Sequence, residues 1–455
     1  MLKPLPFFKI ALLISLVVFF QLSCTSQTKN TEKTVPVPLP QTNAQAALPN
    51  SQSLLGTLMN KRNSSNTLVS FHHSLSDSRG RLKPVNILHL GDSHTAGDNF
   101  SGRLRQLFQK KFGSAGRGML PVGNVFPYFY PKNVKISQSK GWQVSNSYKS
   151  SRSPPYGLSG FRIKSNNPNH FISLKMVDGT RFDEVSLEFL RNRHTGTIRI
   201  AIDNFKPVTI ETMATSQYVD IKQIQVPGSG RRINISPQGD GPIELLSWSF
   251  KRNRSGVIYH SHGIVGATIN VINRWSRKVV SYELNLLKPA LIIVAYGTNE
   301  GFHNSLKKNE YARDFRTRLA LLQRAAPKAS IVVAGPPDGN RLPRYCQQRK
   351  NVGCSSLTPY EIRNYEELLA HKDERLCRWH PPPKLKAVRD IQRYVSKQQG
   401  YFFWDWSTVM GGACGIHAWT QRNPSLASKD HVHLSKQGYY KSAEALFREI
   451  MAHYQ

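Results

Sequence analysis

The sequence predicts an α/β protein built on a parallel sheet and interrupted by an all-β insertion. Apolar strands alternate with amphipathic helices at 85–112 and again at 291–453, which is the pattern of a parallel sheet covered by helices on both faces. Between them, from about 130 to 258, short alternating runs recur at intervals of about twelve residues, separated by Gly, Asn, Pro or Asp. Such spacing is typical of an antiparallel β-sandwich.

The first strand leads directly to a candidate nucleophile. Residues 85–90 are β-branched and apolar, and the run breaks at Gly91-Asp92-Ser93. A helix is predicted next, because large apolar residues recur at helical spacing at Phe100, Leu104, Leu107, Phe108 and Phe112. Ser93 therefore lies in a strand-to-helix turn, at the carboxyl edge of the sheet where active sites of such folds are found.

The second half supplies the remaining elements of the sheet. A buried strand is predicted at 291–295, and it ends in Tyr296-Gly297-Thr298-Asn299, so Asn299 lies at the same edge as Ser93. The elements predicted after it are a helix carrying Tyr311, Phe315, Leu319 and Leu322, a strand at 330–334, an amphipathic helix at 385–398, a strand at 401–404 and a terminal helix at 436–453.

The insertion contains four aromatic residues that need a structural explanation before a functional one. Trp142, Tyr156, Trp248 and Phe250 are of the type that stacks on sugar rings, but aromatic residues of a sandwich belong mainly to its core. We therefore expect all four to be core residues.

Serine, histidine and aspartate occur in a pattern that suits nucleophilic catalysis. A serine hydroxyl needs a base to take its proton, although Ser93 or Asp92 would also serve simply to cap the following helix. Asp430 precedes His433 by three residues on a loop, so its carboxylate can hold Nδ1 of the ring while Nε2 faces the serine. His431 is expected to point away from the crevice, in a surface role.

Four ordered blocks resemble those of the SGNH/GDSL hydrolases. They are Gly91 to Asp98, the glycine block 263–268, Gly297 to Asn299, and Asp430 to His433. The resemblance implies a flavodoxin-like hydrolase domain with Ser93, Asp430 and His433 as its triad. It also implies an oxyanion hole formed by the backbone N–H groups of Ser93 and Gly266 with the Asn299 side chain, where Gly263 competes for the role of Gly266.

A narrower resemblance is to bacterial peptidoglycan O-acetylesterases. It rests on the extended Ser93 block, the β-rich insertion, the glycine block, and the stretch from Cys377-Arg378-Trp379-His380 through Met410-Gly411-Gly412 to His433. It implies that the insertion is similar to a carbohydrate-binding module or jelly roll. It further implies that the substrate is O-acetylated peptidoglycan, deacetylated at C6 of N-acetylmuramic acid without a cofactor or metal.

Three other functions compete with this interpretation. An O-acetyltransferase would use the same triad, and a wall-binding lipoprotein would use the insertion alone. A metallophosphoesterase is suggested by Asp92-x-His94 and His431-x-His433, but the sequence lacks a G-D-x-x-D block and the G-N-H that this class requires.

The N-terminal sequence predicts a signal peptide followed by a flexible linker. Residues 1–24 contain lysines and then an apolar run at 10–20, which is too short for a comfortable membrane span but suits a signal peptide. Ser23 before Cys24 resembles a lipoprotein processing site, which predicts a periplasmic location with possible membrane anchoring at a lipidated Cys24. A linker is expected at 25–60, hydrolase parts at 61–130 and 259–455, and the inserted β-sandwich at 131–258.

The remaining cysteines are even in number and confined to the last quarter of the chain. Cys346, Cys354, Cys377 and Cys414 form two disulfides in an oxidising compartment, with three possible pairings. The short loop favours Cys346–Cys354 and Cys377–Cys414, whereas a zinc site is disfavoured because no C-x-x-C pair occurs.

The net charge of +34 is spread along the whole chain. No nucleic-acid motif accompanies it, so we expect no nucleic-acid partner. An exported protein of this charge would instead be attracted to anionic lipid headgroups and to the acidic stem peptides of peptidoglycan.

Overall fold

The computed structural model describes residues 67–80, 83–127, 129–149 and 155–454. The predicted signal peptide at 1–24, the proposed lipidation site Cys24 and the linker at 25–60 lie outside the described residues. No helix in the described part of the chain is long and apolar enough to cross a membrane.

The described residues form sixteen strands and twelve α-helices, numbered here in chain order. The strands are β1 Pro84–Gly91, β2 Gly116–Pro121, β3 Val134–Gln138, β4 Gln143–Asn146, β5 Phe161–Ser165, β6 Ile172–Met176, β7 Phe182–Arg191, β8 Thr197–Ile202, β9 Val208–Glu211, β10 Tyr218–Gly230, β11 Arg232–Pro237, β12 Ile243–Lys251, β13 Gly256–Gly263, β14 Leu291–Ala295, β15 Ser330–Ala334 and β16 Phe402–Trp404. The helices are α1 Val69–Gly80, α2 Ser93–Ala96, α3 Phe100–Phe112, α4 Arg277–Leu287, α5 Thr298–Gly301, α6 Lys308–Ala325, α7 Pro359–Arg363, α8 Tyr365–Ala370, α9 Leu385–Gln399, α10 Trp406–Val409, α11 Gly415–Thr420 and α12 Lys436–Met451.

The hydrolase sheet is parallel, as predicted. Its strand order is β13-β1-β14-β15-β16, and every neighbouring pair runs parallel. Counted by their order along the chain, these strands read 2-1-3-4-5, which is the order of flavodoxin-like folds. The switch point of this order lies between β1 and β14, so the segments that follow these two strands flank the crevice where such folds bind their ligands.

Helices cover both faces of this sheet because alternate strand residues point to opposite sides. On β14, Ile293 belongs to a hydrophobic cluster that includes Phe100 of α3 and Leu446 of α12. Its neighbour Ile292 belongs to a second cluster, which includes Phe315 of α6. All five residues of β14 are buried, which explains why this strand is a continuous apolar run in the sequence.

The middle of the chain forms two antiparallel sheets. One has the order β10-β7-β12-β5-β4, with β2 also paired to β12, and the other has the order β3-β6-β11-β8-β9. Ile163 and Leu187 of the first sheet and Leu174 and Ile233 of the second belong to one buried cluster, so the two sheets share a core.

Two strands lie close to the predicted limits of the insertion at 131 and 258. Strand β2 precedes residue 131, but it pairs with β12 of an antiparallel sheet. Strand β13 begins before residue 258, but it pairs with β1 of the parallel sheet. Gly118 of β2, with φ +81°, lies so close to β13 that an added Cβ would be 2.6 Å from the carbonyl oxygen of Tyr259.

The aromatic residues of the middle region are core residues, as expected. Tyr156, Trp248 and Phe250 are completely buried, and Trp142 is buried as well. Their ring faces pack inside the protein and are not presented to a glycan.

The predicted disulfide pairing is wrong, although all four cysteines are paired. The structure joins Cys346 to Cys377, with Cα atoms 5.2 Å apart, and Cys354 to Cys414, with Cα atoms 5.8 Å apart. Cys354 forms a short parallel bridge with Trp379, and its sulfur is bonded to that of Cys414, 60 residues further along the chain. Sequence spacing measures only the entropy of closing a loop, whereas the fold decides which sulfurs meet.

Candidate active site

Ser93 lies in the turn that follows strand β1. Gly91 ends the strand at a point of close packing, because an added Cβ there would be 2.2 Å from Thr95 Oγ1. Asp92 caps helix α2, since its Oδ1 accepts a hydrogen bond from the backbone N–H of His94 at 3.0 Å. Because Asp92 supplies the cap, the hydroxyl of Ser93 remains available for another partner.

That partner is His433, in a hydrogen-bonded row that ends at Asp430. Nδ1 of His433 donates to Asp430 Oδ2 at 2.7 Å, since an ionised carboxylate only accepts. Nε2 is then the accepting nitrogen, and it lies 3.0 Å from Ser93 Oγ. The structure thus brings together the three predicted triad residues, in the geometry that lets an imidazole take a proton from serine.

The electrostatics of Asp430 and His433 suit these roles. Burial tends to raise the pKa of Asp430, but hydrogen bonds from the His433 ring and from the backbone N–H groups of His433 and Val432 lower it to about 2. The hydrogen bond to Asp430 raises the pKa of His433 above its ordinary value, against the opposing effect of burial. Asp430 is therefore a fixed anion, and His433 is a strengthened base.

The predicted oxyanion residues lie on two segments that touch each other. The backbone N–H of Ile264 donates to the carbonyl oxygen of Gly91 at 3.0 Å, which ties the 264–267 turn to the end of β1. Asn299 Nδ2 donates to the carbonyl oxygen of Ala267 at 2.8 Å. Since an amide nitrogen carries two protons, one N–H of Asn299 remains for a substrate oxygen.

Gly263 and Gly266 have different environments. Gly263 ends β13 in register with Gly91, and an added Cβ there would be 2.2 Å from the backbone nitrogen of Ala96. Gly266 lies in the turn, partly exposed and with φ +78°. Close packing accounts for the glycine at 263, and the positive φ accounts for the glycine at 266.

Asp92 and His94, the neighbours of Ser93 in the chain, are both buried, and burial shifts the pKa of each. Burial lowers the pKa of His94 to about 3 and raises the pKa of Asp92 to about 6. Nδ1 of His94 lies 2.9 Å from the hydroxyl oxygen of Tyr439. The His94 ring lies 5.3 Å from that of His433, so it packs against the triad without adding positive charge.

The expectation of a surface role for His431 is wrong. His431 is buried, and its ring stacks on Trp379 at 3.6 Å. Its Nδ1 donates to the carbonyl oxygen of Lys429 at 3.0 Å, so Nε2 accepts a hydrogen bond from Nδ1 of His417, also at 3.0 Å. These contacts anchor the loop that carries Asp430 and His433.

Sequence reasoning missed this anchor because its members are far apart along the chain. Trp379 lies in the stretch 377–380 that resembles the O-acetylesterases, but nothing in that stretch indicates a contact with His431, and no local pattern distinguishes His417. In the described ranges, no three His, Cys, Asp or Glu side chains are grouped so as to hold a metal ion.

A parallel α/β sheet with a Ser-His-Asp row at its switch point defines a serine hydrolase. The model of the GDSL-like lipase/acylhydrolase family matches residues 217–446, half of the chain, and the protein belongs to this family. It is accordingly a carboxylic ester hydrolase. The matched range contains Gly266, Asn299, Asp430 and His433, whereas Ser93 precedes it and is placed by the fold.

A solved structure supports the fold. A structure described as a peptidoglycan O-acetylesterase in action is 24% identical, with a TM-score of 0.67 over 85% of this chain and 97% of that one. A family two carbohydrate esterase from Cellvibrio japonicus is 13% identical, with a TM-score of 0.26 over 71% of this chain and 99% of that one. A GDSL-like lipase from Bacteroides thetaiotaomicron is 17% identical, with a TM-score of 0.26 over 43% of this chain and 76% of that one. The latter two superpose too poorly to bear on the fold, and no curated protein matches this chain in sequence.

Proposed function

We propose that this protein removes O-acetyl groups from peptidoglycan, at the C6 hydroxyl of N-acetylmuramic acid, through an acetyl-serine intermediate. The observation that carries the proposal is the Ser93–His433–Asp430 row, with distances of 3.0 and 2.7 Å, at the switch point of the sheet. The fold shared with a peptidoglycan O-acetylesterase over 85% of the chain supports this choice of substrate.

The first half-reaction forms the acetyl-enzyme. Ser93 Oγ attacks the acetyl carbonyl carbon while His433 Nε2 takes the hydroxyl proton. The negative charge on the carbonyl oxygen is held by the N–H groups of Ser93 and Gly266 and by Asn299. The ester bond then breaks, and the C6 oxygen of the sugar leaves with the proton returned by His433.

The second half-reaction repeats these steps with water. His433 takes a proton from water, the hydroxide attacks the acetyl carbon, and Ser93 Oγ leaves protonated as acetate departs. The side chains of His433 and Asp430 are 42% and 49% exposed, so water has access to the triad. Hydrolysis needs such access, and the competing acetyl transfer would require a second sugar hydroxyl to reach the same acetyl-serine.

The two antiparallel sheets are proposed to form the inserted β-sandwich, similar to a carbohydrate-binding module, between hydrolase parts at 61–130 and 259–455. Their shared core supports a module of this kind. The pairing of β2 with β12 suggests that the module also recruits a strand from before residue 131.

The proposed location is the periplasm, with anchoring at a lipidated Cys24 as a further possibility to test. Two disulfides in the described region suit an oxidising compartment. The net charge of +34 would draw the protein to anionic lipid or to peptidoglycan stem peptides.

The proposal is tested by incubating the purified protein with insoluble O-acetylated peptidoglycan and measuring free acetate. We expect acetate release by the wild type and none above background by a folded Ser93→Ala variant. A second reaction contains de-O-acetylated peptidoglycan and a soluble acetyl ester. Acetyl gain by the glycan there, without acetate release in the first reaction, would identify a transferase instead.

A further inference from the structure

Tyr148 brings a partly exposed aromatic ring to the proposed oxyanion loop. It follows strand β4, in the antiparallel part of the molecule, and is 42% exposed. An added Cβ on Gly266 would be 3.3 Å from Cε1 of the Tyr148 ring and 3.7 Å from its hydroxyl oxygen. The ring therefore lies against the turn whose N–H group is assigned to the oxyanion hole.

The backbone beneath this ring is fixed from two sides. Asn146 Oδ1 accepts hydrogen bonds from the backbone N–H groups of Tyr148 and Lys149, at 3.1 and 2.8 Å. Ser147 is completely buried, and its N–H donates to the carbonyl oxygen of Gly160 at 2.8 Å. Trp275 Nε1 donates to Ser147 Oγ at 3.3 Å, which ties the turn to the chain beyond the glycine block.

A half-exposed aromatic ring on a well-held backbone is suited to binding a ligand. Hydrogen bonds within the protein already hold the backbone at Tyr148, so little backbone conformational entropy is lost when a ligand packs on its ring. Most large aromatic residues of the middle region are buried, and Tyr148 differs from them in being exposed while lying next to Gly266.

The chemistry of the proposed substrate specifies what would reach this ring. When an acetyl carbonyl lies in the oxyanion hole, the C6 oxygen of the sugar is bonded directly to the carbonyl carbon. Only one methylene separates that oxygen from the pyranose ring. The apolar C–H face of the sugar is therefore brought to the neighbourhood of Gly266, where Tyr148 offers an aromatic surface.

We propose that Tyr148 is a sugar-binding residue of the active site, whose ring packs on the pyranose that carries the acetyl ester. This inference rests on the proposed function. It assigns to Tyr148, in the antiparallel region, the preference of the enzyme for acetyl esters of glycans over acetyl esters that lack a sugar ring. Tyr148 takes no part in proton transfer.

The test compares kcat/KM for two substrates, soluble O-acetylated glycan fragments and methyl acetate, which has no ring to stack. Tyr148→Ala is expected to lower the ratio of the two values about tenfold, the effect of 1.4 kcal/mol. Tyr148→Phe keeps the aromatic ring and is expected to keep the ratio within about twofold. Tyr394→Ala, at a tyrosine that is 40% exposed on α9, is the control and should leave the ratio unchanged.

A binding measurement separates this inference from the proposed reaction. Ser93→Ala protein, with and without Tyr148→Ala, is sedimented with insoluble peptidoglycan at about 1 M salt, where the Debye length of about 3 Å suppresses charge attraction. Weaker retention of the double variant supports the Tyr148 contact. If the wild type releases no acetate, the proposed esterase reaction is refuted, but this binding result still stands. The inference would be overturned if Tyr148→Ala changed neither the retention on peptidoglycan nor the ratio of the two kcat/KM values. It would also be overturned if Tyr148→Phe lowered that ratio as much as Tyr148→Ala does.

Discussion

The residues beside Ser93 show how a buried site prepares for charge that appears only during the reaction. His433 becomes an imidazolium when it takes the serine proton, and the His94 ring is only 5.3 Å away. Burial lowers the pKa of His94 to about 3, so His94 is neutral and does not repel the new charge. Asp430, with its pKa lowered to about 2, is ionised and stabilises that charge directly.

Asp430→Asn tests this electrostatic assignment. An amide carries no charge, and its NH₂ group in place of Oδ2 would donate to Nδ1 and hold the ring in the wrong tautomer, so we expect kcat on a simple acetyl ester to fall by about 10³–10⁴. Activity requires neutral His433, so kcat/KM rises with pH through the pKa of His433. In the wild type, that midpoint should lie above 6.5, because the pKa of His433 is raised, and in Asp430→Asn it should move down. A pH–rate profile with the same midpoint in both proteins would contradict the assignment.

Asn299→Ala tests the oxyanion hole. One N–H of Asn299 is used by the carbonyl oxygen of Ala267, and we assign the second to the substrate oxygen. The variant should lose about 10²–10³ in kcat, with KM little changed, because this donor acts mainly in the transition state. Kinetics and thermal melting are measured on the same sample. A variant that melts early but turns over normally would show that Asn299 only supports the loop.

At the scale of elements, the sequence predicted what local pattern determines. Strands β14 and β15 are nearly continuous apolar runs because parallel strands are buried on both faces, and this signal needs no knowledge of the fold. Strand β1 follows the same pattern with two polar residues, Asn86 and His89. Strand β2 was missed, since Gly-Arg-Gly has little strand propensity and extends only because β12 lies beside it. The buried strand β13 carries His260 and His262, and a domain limit was placed within it.

One pair of elements is joined by two buried carboxyl groups. Glu188 of β7 accepts from Ser247 Oγ at 2.6 Å, and Glu283 of α4 accepts from the backbone N–H of Leu158 at 2.8 Å. Burial raises the pKa of Glu188 to about 7, and burial together with the charge of Glu188 raises that of Glu283 further. Burial in this site disfavours ionisation of both carboxyl groups.

Glu188→Gln should therefore change how stability depends on pH. A carboxyl group with a raised pKa in the folded state contributes stability that is complete below its ordinary value of 4.5 and is lost as the pH rises through about 7. Glutamine does not ionise, so the melting temperature of the variant relative to the wild type should increase between about pH 5 and about pH 8. Glu449→Gln, at an exposed site, is the control. A difference that is independent of pH would contradict the raised pKa.

The disulfides make a prediction about covalent structure. Mass spectrometry of a digest under non-reducing conditions should find peptides linked through Cys346–Cys377 and Cys354–Cys414. Replacing Cys354 and Cys414 by serine should lower the free energy of unfolding by about 2–4 kcal/mol, since the pair closes a separation of 60 residues. A peptide linked through Cys346–Cys354 would contradict the fold of this region.

At the scale of the whole molecule, the candidate site is assembled from distant parts of the chain. Ser93 and His433 are 340 residues apart, yet their blocks were recognisable because nucleophile, base and carboxylate each need fixed local neighbours. Tyr148 and the Trp379–His431 stack were not predictable in this way, because their roles depend on contacts made only in the folded chain. The sequence thus predicted the residues of the proposed reaction, but it did not predict the neighbouring side chains that would confer substrate specificity.

The central claim is that Ser93 is the activated nucleophile, and covalent labelling tests it most directly. An alkyl fluorophosphonate reacts with serines that an adjacent base activates, and the stable adduct is located by peptide mass spectrometry. We predict a single adduct on Ser93, abolished in His433→Ala and retained in Tyr394→Ala. An active wild-type enzyme that remains unlabelled, or that is labelled at another serine, would contradict the account.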